Sequence, residues 1–504
     1  MSDTAAPRRL AHLAGFALAM IALLWLMALL SAWITRARLV QDAQQEVAAL
    51  REGRPLWKWH LRGPTDLVAG RVFGSATVTH GADALRITSH EGTPFELGLP
   101  LETPIDAAHW PLLELQLHST AAGSLSLIYQ TSESSAACTA TAVAPIRSKQ
   151  TRLSVDLKAA SWRTSTGEAC SAPGVVAYML RLRMQVPADT ELKIGDVALA
   201  SPKPPILPAA IGADTADVSL LLPQGGLGLP ELAAPLVRLP AGSSAESMVA
   251  LRDAIRAQRP AALVLPPGVP LAIGHDGPVS AWWDWAICGL YLLWLAALAW
   301  RQRPGVARPW IEAIAIAAGP LWLIAGLRWG PHVSIPGVIA FLAAIVFAAV
   351  SEWRRRPVFW SWLGRSLQDW LWPLLPLPVA FVLMLADGHG LIHLDPKHIA
   401  AYFGWALLQQ WAMLAIVMGR LRLTSLPTPA VILITASLFG LLHTPNGSLM
   451  QLCMLAELWW AWCFIRSPRL LPIAIAHALS ALLIESGLTG HLLRSLEVSA
   501  RFFL

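Results

Sequence analysis

The chain has 504 residues, of which 55% are hydrophobic and only 14% are charged, and its mean hydropathy is +0.51. Soluble chains carry roughly a quarter of charged residues, so this composition excludes an ordinary soluble protein and indicates an integral membrane protein. The net charge of +6 and the 24 Trp fit that class, because Lys and Arg flank cytoplasmic span ends and Trp collects at membrane interfaces. No basic stripe interleaved with aromatic residues occurs, so we expect no nucleic-acid partner.

The apolar segments predict about nine transmembrane helices. Residues 1–9 form a short N-terminus, and residues 10–35 are long enough to span ~30 Å of hydrocarbon as a retained signal anchor. Eight further apolar runs lie at about 282–300, 309–328, 334–351, 369–387, 399–419, 428–443, 448–465 and 470–487. Basic loops alternate with loops that hold few Lys or Arg. The positive-inside rule therefore predicts a multi-pass protein of a bacterial-type inner (plasma) membrane with a cytoplasmic N-terminus.

Residues 44–201 predict an extracytoplasmic β-sandwich, because short segments with period-two alternation are separated by Gly, Pro, Ser and Asp. Residues 113–118 and 151–157 are examples. The strand pattern resembles the jelly-roll modules that bind carbohydrate, so a glycan partner stays open for this domain. Four tryptophans are available to stack on sugar, but we expect them in the core: Trp57, Trp59, Trp110 and Trp162.

The five cysteines fall into two groups. Cys138 and Cys170 lie in the β-rich domain and can form one disulfide if that domain occupies an oxidising compartment. Cys288, Cys453 and Cys463 lie in apolar spans, where the ordinary interpretation is a small buried hydrophobe. No CxxC or Cys/His zinc spacing occurs, and we expect no cofactor and no metal.

Two smaller segments flank the spans. Residues 209–280 predict a small α/β piece that contains no phosphate-binding Gly fingerprint; its elements are a strand at 218–222, a helix at 244–258 and a strand at 262–265. Ser243 and Glu246 predict a capping box at the start of the helix. Residues 488–504 alternate leucine with charge, which favours an amphipathic helix on the membrane surface.

Residues 399–487 contain polar side chains inside apolar spans. A polar group in hydrocarbon is costly, so it marks a site or a contact between helices by default. The residues concerned are Gln409, Gln410, His443, Glu457, His477 and Glu485. Histidines and acids also crowd the loop at 387–398, where a metal site is conceivable, but Gly388, Gly390 and Pro396 favour an exposed turn.

This segment resembles the CAAX-protease and bacteriocin-processing (CPBP or Abi) family of glutamic intramembrane peptidases. The family carries Glu-Glu-x-x-x-Arg in one membrane helix, Phe-x-x-x-His at the end of the next, and His-x-x-x-Asn further on. The segment Phe439-Gly-Leu-Leu-His443 matches the second motif, and His477 begins the third. The separations from Gln409 to His443 and from His443 to His477 are equal. The resemblance covers residues 400–485 and implies cleavage of a peptide bond within or beside the membrane.

The departures from the family pattern concern its catalytic residues. Gln409 and Gln410 stand in the places of the two glutamates, Leu414 replaces the Arg, and Ala481 replaces the Asn. Hydrolysis needs a base that takes a proton from water, and an amide has no usable basicity near neutral pH. We therefore favour a diverged, non-catalytic member over an active one, and enzyme activity stays open.

Two interpretations of the bundle follow from the resemblance. In an active member, His443 and His477 would activate water, with Gln409 and Gln410 in the glutamate places. A substitute carboxylate would then come from Glu457 or Glu485, although a structural polar contact is the favoured interpretation for both. In a pseudoenzyme the same cavity would bind a membrane-embedded or membrane-proximal peptide or protein.

A different class also fits the sequence. In this alternative the chain is a non-catalytic cell-envelope accessory protein, whose β-sandwich recognises a glycan or a protein partner and whose spans serve as an anchor. A site derived from a protease predicts that Gln409, His443 and His477 meet at one cavity. An anchor predicts that they are scattered and separately satisfied.

Overall fold

The structure, a computed structural model, describes residues 5–51, 56–101, 104–131, 135–148, 151–170, 177–202, 210–211, 235–272, 282–301, 305–330, 333–354, 358–387, 391–490 and 493–503. The chain forms two compact units. The helical unit comprises Met1–Thr35, Ser244–Val249 and Asp276–Leu504, and the two-sheet unit comprises Arg36–Ser243 and Ala250–His275. Helix α1 (Ala5–Arg51) supplies residues to both units and contains the predicted anchor.

The two-sheet unit confirms the prediction of a separate β-rich region. Its strands are β1 (Trp57–His60), β2 (Ala76–Thr79), β3 (Leu85–Ser89), β4 (Phe95–Leu99), β5 (Leu112–Ser119), β6 (Gly123–Gln130), β7 (Cys138–Ile146), β8 (Arg152–Asp156), β9 (Arg163–Thr164), β10 (Met179–Gln185) and β11 (Glu191–Ala200). One antiparallel sheet has the order β2-β3-β11-β5-β8 with β1 also paired to β11, and the other has the order β4-β10-β6-β7-β9. The alternating apolar residues of both sheets belong to one hydrophobic core.

The core explains where the tryptophans and two of the cysteines lie. The four tryptophans are between 3% and 8% exposed, as expected for core residues, so their rings do not present a surface to sugar. Cys138 and Cys170 form the predicted disulfide. On the outside, Asp196 of β11 accepts hydrogen bonds from Lys58 and His60 of β1, at 3.1 and 2.9 Å.

The predicted α/β segment is present in the described residues. Its elements are β12 (Ala210–Ile211), β13 (Leu236–Arg238), α2 (Ala245–Gln258), β14 (Leu263–Leu265) and β15 (Leu271–Ala272). Strands β13 and β14 are parallel neighbours. The strand expected at 218–222 lies outside the described residues. The capping box of Ser243 and Glu246 is a wrong prediction, because the hydroxyl of Ser244 caps α2 by accepting from the amide of Ser247 at 3.2 Å and the hydroxyl of Ser243 donates to the carbonyl of Pro240.

The described residues of the helical unit continue with ten α-helices. They are α3 (Trp282–Trp300), α4 (Arg308–Ile324), α5 (Ile335–Arg354), α6 (Leu367–Leu371), α7 (Pro376–Asp387), α8 (Pro396–Gln410), α9 (Gly419–Leu421), α10 (Thr428–Leu441), α11 (Gly447–Arg466) and α12 (Leu470–Leu488). Prolines interrupt the path from α6 to α7, and a π-helical segment, Trp411–Met418, joins α8 to α9.

The protein is a multi-pass membrane protein. Seven helices among the described residues are long and apolar enough to cross a bilayer. α4 has 17 residues and α10 has 14, and both are too short to be counted among these seven. The expectation of about nine spans and the assignment of the two sides therefore stay predictions.

The C-terminal segment corrects one expectation, since residues 493–503 form no amphipathic α-helix. A 3-10 turn, Ser499–Phe503, is their only helical element. The amides of Ser499 and Ala500 donate to the carbonyls of Thr444 and Trp329, so these amides are not available to a helix. Phe502 and Phe503 are buried in a small protein core instead of facing lipid.

Candidate functional site

Four helices carry the polar residues that the sequence singles out. Gln409 and Gln410 end α8, His443 follows α10, Glu457 lies on α11, and His477 and Glu485 lie on α12. α8 packs against α12 and α10 packs against α11, so residues far apart in the sequence come close. The π-helical segment begins directly after Gln410. Such segments are frequent at functional sites because they change the direction of the side chains that follow.

Gln410 connects Glu457 and His477 in the protein interior. Its Nε2 atom donates to Oε2 of Glu457 at 2.9 Å and lies 3.3 Å from Nδ1 of His477. The three side chains are 0%, 0% and 4% exposed, in that order. Because an amide nitrogen only donates, Nδ1 of His477 accepts. We call Gln410, Glu457 and His477 the buried triad; it stabilises the contact of α8, α11 and α12, since buried polar groups need partners.

His443 is held through the backbone of its own motif. Its Nδ1 atom lies 2.9 Å from the carbonyl oxygen of Phe439. Nδ1 therefore donates, and Nε2 remains as the acceptor. The ring of Phe439 packs against both imidazoles, with centroid distances of 5.1 Å to His443 and 5.5 Å to His477. The aromatic residue of the Phe-x-x-x-His motif thus positions both histidines.

A cavity of about 710 Å³ has Gln409, His443 and His477 in its wall. Most of the remaining lining is apolar, including Leu438, Leu452 and other residues of α4, α5, α7, α8, α11 and α12. A largely apolar cavity with a few convergent polar groups is the usual form of a ligand site. The structure thus brings Gln409, His443 and His477 together, whereas Gln410 and Glu457 are not among the lining residues. The catalytic roles stay a prediction.

The two candidate carboxylates have different surroundings. Glu457 contacts Gln410, which separates it from His477. Glu485 lines the cavity, and its carboxylate is 3.0 Å from Nε2 of His398, with side chains 26% and 45% exposed. Neither carboxylate has a hydrogen bond to an imidazole of His443 or His477 in the described part of the chain. A relocated carboxylate base in direct contact with these histidines is therefore not seen.

The loop at 387–398 gives no sign of a metal site among the described residues. Within them, no group of three or more His, Cys, Asp or Glu side chains is arranged to bind a metal ion. His389 lies outside the described residues. Asp395 accepts from the amide of Lys397 at 2.9 Å and caps the start of α8.

Three buried polar atoms of the cavity wall have no hydrogen-bond partner in the described part of the protein. They are Oε1 of Gln409, Oγ of Ser480 and Oγ of Ser495. Buried polar atoms are rarely left unpaired, so these three are available to a ligand or to water. Sequence reasoning missed both serines. The spacing of Ser480, three residues after His477 on one helix, was the signal that could have identified it.

The C-terminal segment supplies one wall of the cavity through residues 495–498. Asn446 anchors this wall, because its Nδ2 atom donates to the carbonyls of Ser495 and Glu497 at 2.7 and 3.4 Å. Oδ1 of the same side chain accepts from the amide of Leu449 at 3.2 Å and caps α11. Sequence reasoning assigned no role to Asn446.

A second buried polar cluster lies outside the cavity. Arg420 is 2% exposed and donates to Glu312 and Glu352, each at 2.9 Å. Arg308 donates to the other oxygen of Glu312 at 2.7 Å. Sequence reasoning counted Arg308 and Arg420 as loop charges, but both pair with carboxylates. This cluster stabilises the contact of α4, α5 and α9.

Comparison with known protein families gives a match for the C-terminal region. Residues 397–483 match the family model described as "Type II CAAX prenyl endopeptidase Rce1-like". This match confirms the CPBP resemblance for the C-terminal region, which includes Gln409, His443 and His477. A comparison with curated protein sequences finds no significant match.

The chain also shows weak likenesses to solved structures. A family 11 carbohydrate-binding module of a cellulosomal cellulase from Clostridium thermocellum has 12% identity, covers 26% of this chain and 82% of its own, and gives a TM-score of 0.21. A family 29 carbohydrate-binding module has 10% identity, 29% and 85% coverage, and a TM-score of 0.20. An exo-β-agarase has 12% identity, 40% and 30% coverage, and a TM-score of 0.20.

Proposed function

We propose that the C-terminal bundle, a CPBP-type intramembrane protease homologue, binds a membrane-associated peptide in the cavity lined by Gln409, His443 and His477. The observation that carries this proposal is the convergence of these three residues from separate parts of the chain on one cavity. If the spans served only as an anchor, we would not expect Gln409, His443 and His477 to line the same cavity. The mainly apolar wall suits a ligand that enters from the bilayer.

We further propose that the bundle has diverged at its catalytic glutamates. Hydrolysis of a peptide needs a group that takes a proton from water as the oxygen attacks the carbonyl. Gln409 faces the cavity but has no usable basicity, and the carboxylate of Glu457 contacts Gln410 away from the cavity wall. Nε2 of His443 remains as an acceptor without an adjacent carboxylate. We therefore expect binding of peptide and little or no cleavage.

The test uses the full chain in lipid nanodiscs and a fluorescent, farnesylated peptide that ends in a CAAX sequence. Saturable binding is expected, measured by fluorescence anisotropy. Ala481→Trp places an indole in the cavity wall and should abolish binding. Leu479→Trp adds the same ring on the same helix at a position that is 36% exposed and does not line the cavity, and should bind normally. Equal binding by both variants, or none by the wild type, would sink the proposal.

The catalytic part has its own test. Gln409→Glu returns a carboxylate to the cavity wall, and we expect it to release a C-terminal fragment from the same peptide, detected by mass spectrometry. The wild type should release none over the same period. Rapid cleavage by the wild type would show that the chain retains a base that we have not identified.

We also propose that the two-sheet unit is extracytoplasmic and the N-terminus cytoplasmic, in a bacterial-type inner membrane. Basic loops such as the one holding Arg466 and Arg469, and the Cys138–Cys170 bridge, support this orientation. Protease added to intact spheroplasts should digest the two-sheet unit and spare an epitope tag at the N-terminus. Loss of the tag alone would reverse the assignment. A glycan partner stays a prediction, and the burial of the four tryptophans removes one reason for it.

A further inference from the structure

Ser480 is a buried hydroxyl of the cavity wall with no assigned role. It lies on α12 one turn beyond His477 and is 4% exposed. Its Oγ atom is buried and makes no hydrogen bond among the described residues, and the residue lines the cavity. A buried hydroxyl is unfavourable unless it forms a hydrogen bond, here with a ligand or with water.

Three other hydroxyls in the membrane helices are satisfied within their own helices. Serine and threonine in membrane helices commonly donate to a carbonyl one turn earlier. Here Thr435 donates to the carbonyl of Val431 at 2.9 Å, Ser437 to that of Leu433 at 2.7 Å, and Ser486 to that of Leu483 at 3.3 Å. Ser480 departs from this pattern although it shares α12 with Ser486. Its hydroxyl therefore lacks the partner within its own helix that these three have.

We propose that Ser480 donates a hydrogen bond to a backbone carbonyl of the peptide bound in the cavity. This inference rests on the proposed function and adds a residue that positions the ligand. The family motif has an Asn four residues after its His, and here that position is Ala481, which has no donor. Ser480 precedes it on the same wall. Oε1 of Gln409, also unpaired, is the matching acceptor for a peptide N–H.

The experiment measures the dissociation constant of the fluorescent farnesylated CAAX peptide for the full chain in nanodiscs. Ser480→Ala should raise it about three- to tenfold, the range expected for one net hydrogen bond. Ser486→Ala removes a hydroxyl from the same helix outside the cavity and should leave it within about twofold. The double variant Ser480→Ala/Ala481→Asn supplies a donor one position later and should recover most of the lost affinity.

The outcomes separate this inference from the proposed function. If the wild type binds and Ser480→Ala binds equally well, the donor role is overturned and the proposed function stands. If the wild type does not bind, both fail. A lower melting temperature for Ser480→Ala that Ala481→Asn does not rescue would make Ser480 a packing residue and overturn the inference. Weaker binding at an unchanged melting temperature, with rescue, is the expected result.

Discussion

The buried triad predicts that residues 410 and 457 can exchange their acid and amide groups. Gln410→Glu removes the donor that Glu457 and His477 share and brings a second carboxyl to within hydrogen-bond distance of the first. Each unsatisfied buried group costs about 1–3 kcal/mol, so the single variant should lose about 2–6 kcal/mol of stability. Glu457→Gln keeps an acceptor oxygen for Gln410 and should lose less.

The double variant Gln410→Glu/Glu457→Gln restores one acid and one amide in contact. The amide at position 457 then donates to the carboxyl at position 410, which also faces His477. We expect it to recover at least half of the stability that Gln410→Glu loses. A coupling energy of about 0.5–3 kcal/mol is usual for residues in direct contact.

The assay heats detergent-solubilised full chain at one fixed rate and measures the fraction that stays monodisperse, because unfolding of such proteins is often irreversible. Gln451→Glu combined with Glu457→Gln serves as the control. Gln451 donates to the carbonyl of Leu24 at 3.0 Å and not to Glu457. The stability losses of these two substitutions should therefore add in the double variant. If the stability losses of the substitutions at positions 410 and 457 also add, the contacts of the buried triad are not those described here.

Three further predictions concern other parts of the molecule. Asn446→Asp keeps the cap of α11 but loses the donor to the wall at 495–498, so amide exchange should rise in residues 493–503 and stay unchanged at Leu449; equal exchange in both places would contradict this. Arg420→Ala removes the arginine partner of buried Glu352 and one of the two arginines that pair with Glu312, and should cost about 3–5 kcal/mol, seen as a lower melting temperature, whereas Arg422→Ala, which alters an exposed neighbour, should cost little. Burial raises the pKa of Asp196, but hydrogen bonds from His60 and Lys58 outweigh it and hold the pKa below 3.8. Its stabilisation is therefore present above that pH and lost as pH falls through the folded pKa, so the advantage of the wild type over Asp196→Asn should shrink on acidification; a constant advantage would refute this.

The sequence predicted the parts of the fold that depend on local pattern. Period-two alternation identified the β-rich region, and long apolar runs identified the helices. The polar residues of the cavity wall were found because hydrocarbon penalises them, and their motif spacing placed Gln409, His443 and His477 in one group. Pattern alone could not separate Gln409, which lines the cavity, from Gln410, which contacts Glu457 and His477, because adjacent residues of a helix point to different sides and the sequence does not show which side of α8 faces the cavity.

Other features depend on long-range contacts that no local pattern contains. The pattern of residues 488–504 predicted an amphipathic helix on the membrane, but Phe502 and Phe503 are buried in a protein core and do not face lipid. Arg420 looked like a loop charge because its partners, Glu312 and Glu352, lie far away in the sequence. Ser480 is an ordinary helical serine by sequence, and only the missing bond to its own helix distinguishes it.

Photo-crosslinking can show whether the peptide occupies the cavity. The farnesylated CAAX peptide would carry one diazirine-bearing leucine, and mass spectrometry would map its adducts on the full chain in nanodiscs. The account predicts adducts on the cavity wall, at residues such as Leu438, Leu452 and Leu496, and their loss in Ala481→Trp. Adducts confined to the two-sheet unit, or to lipid-facing residues of α3 such as Leu290 and Leu293, would contradict it.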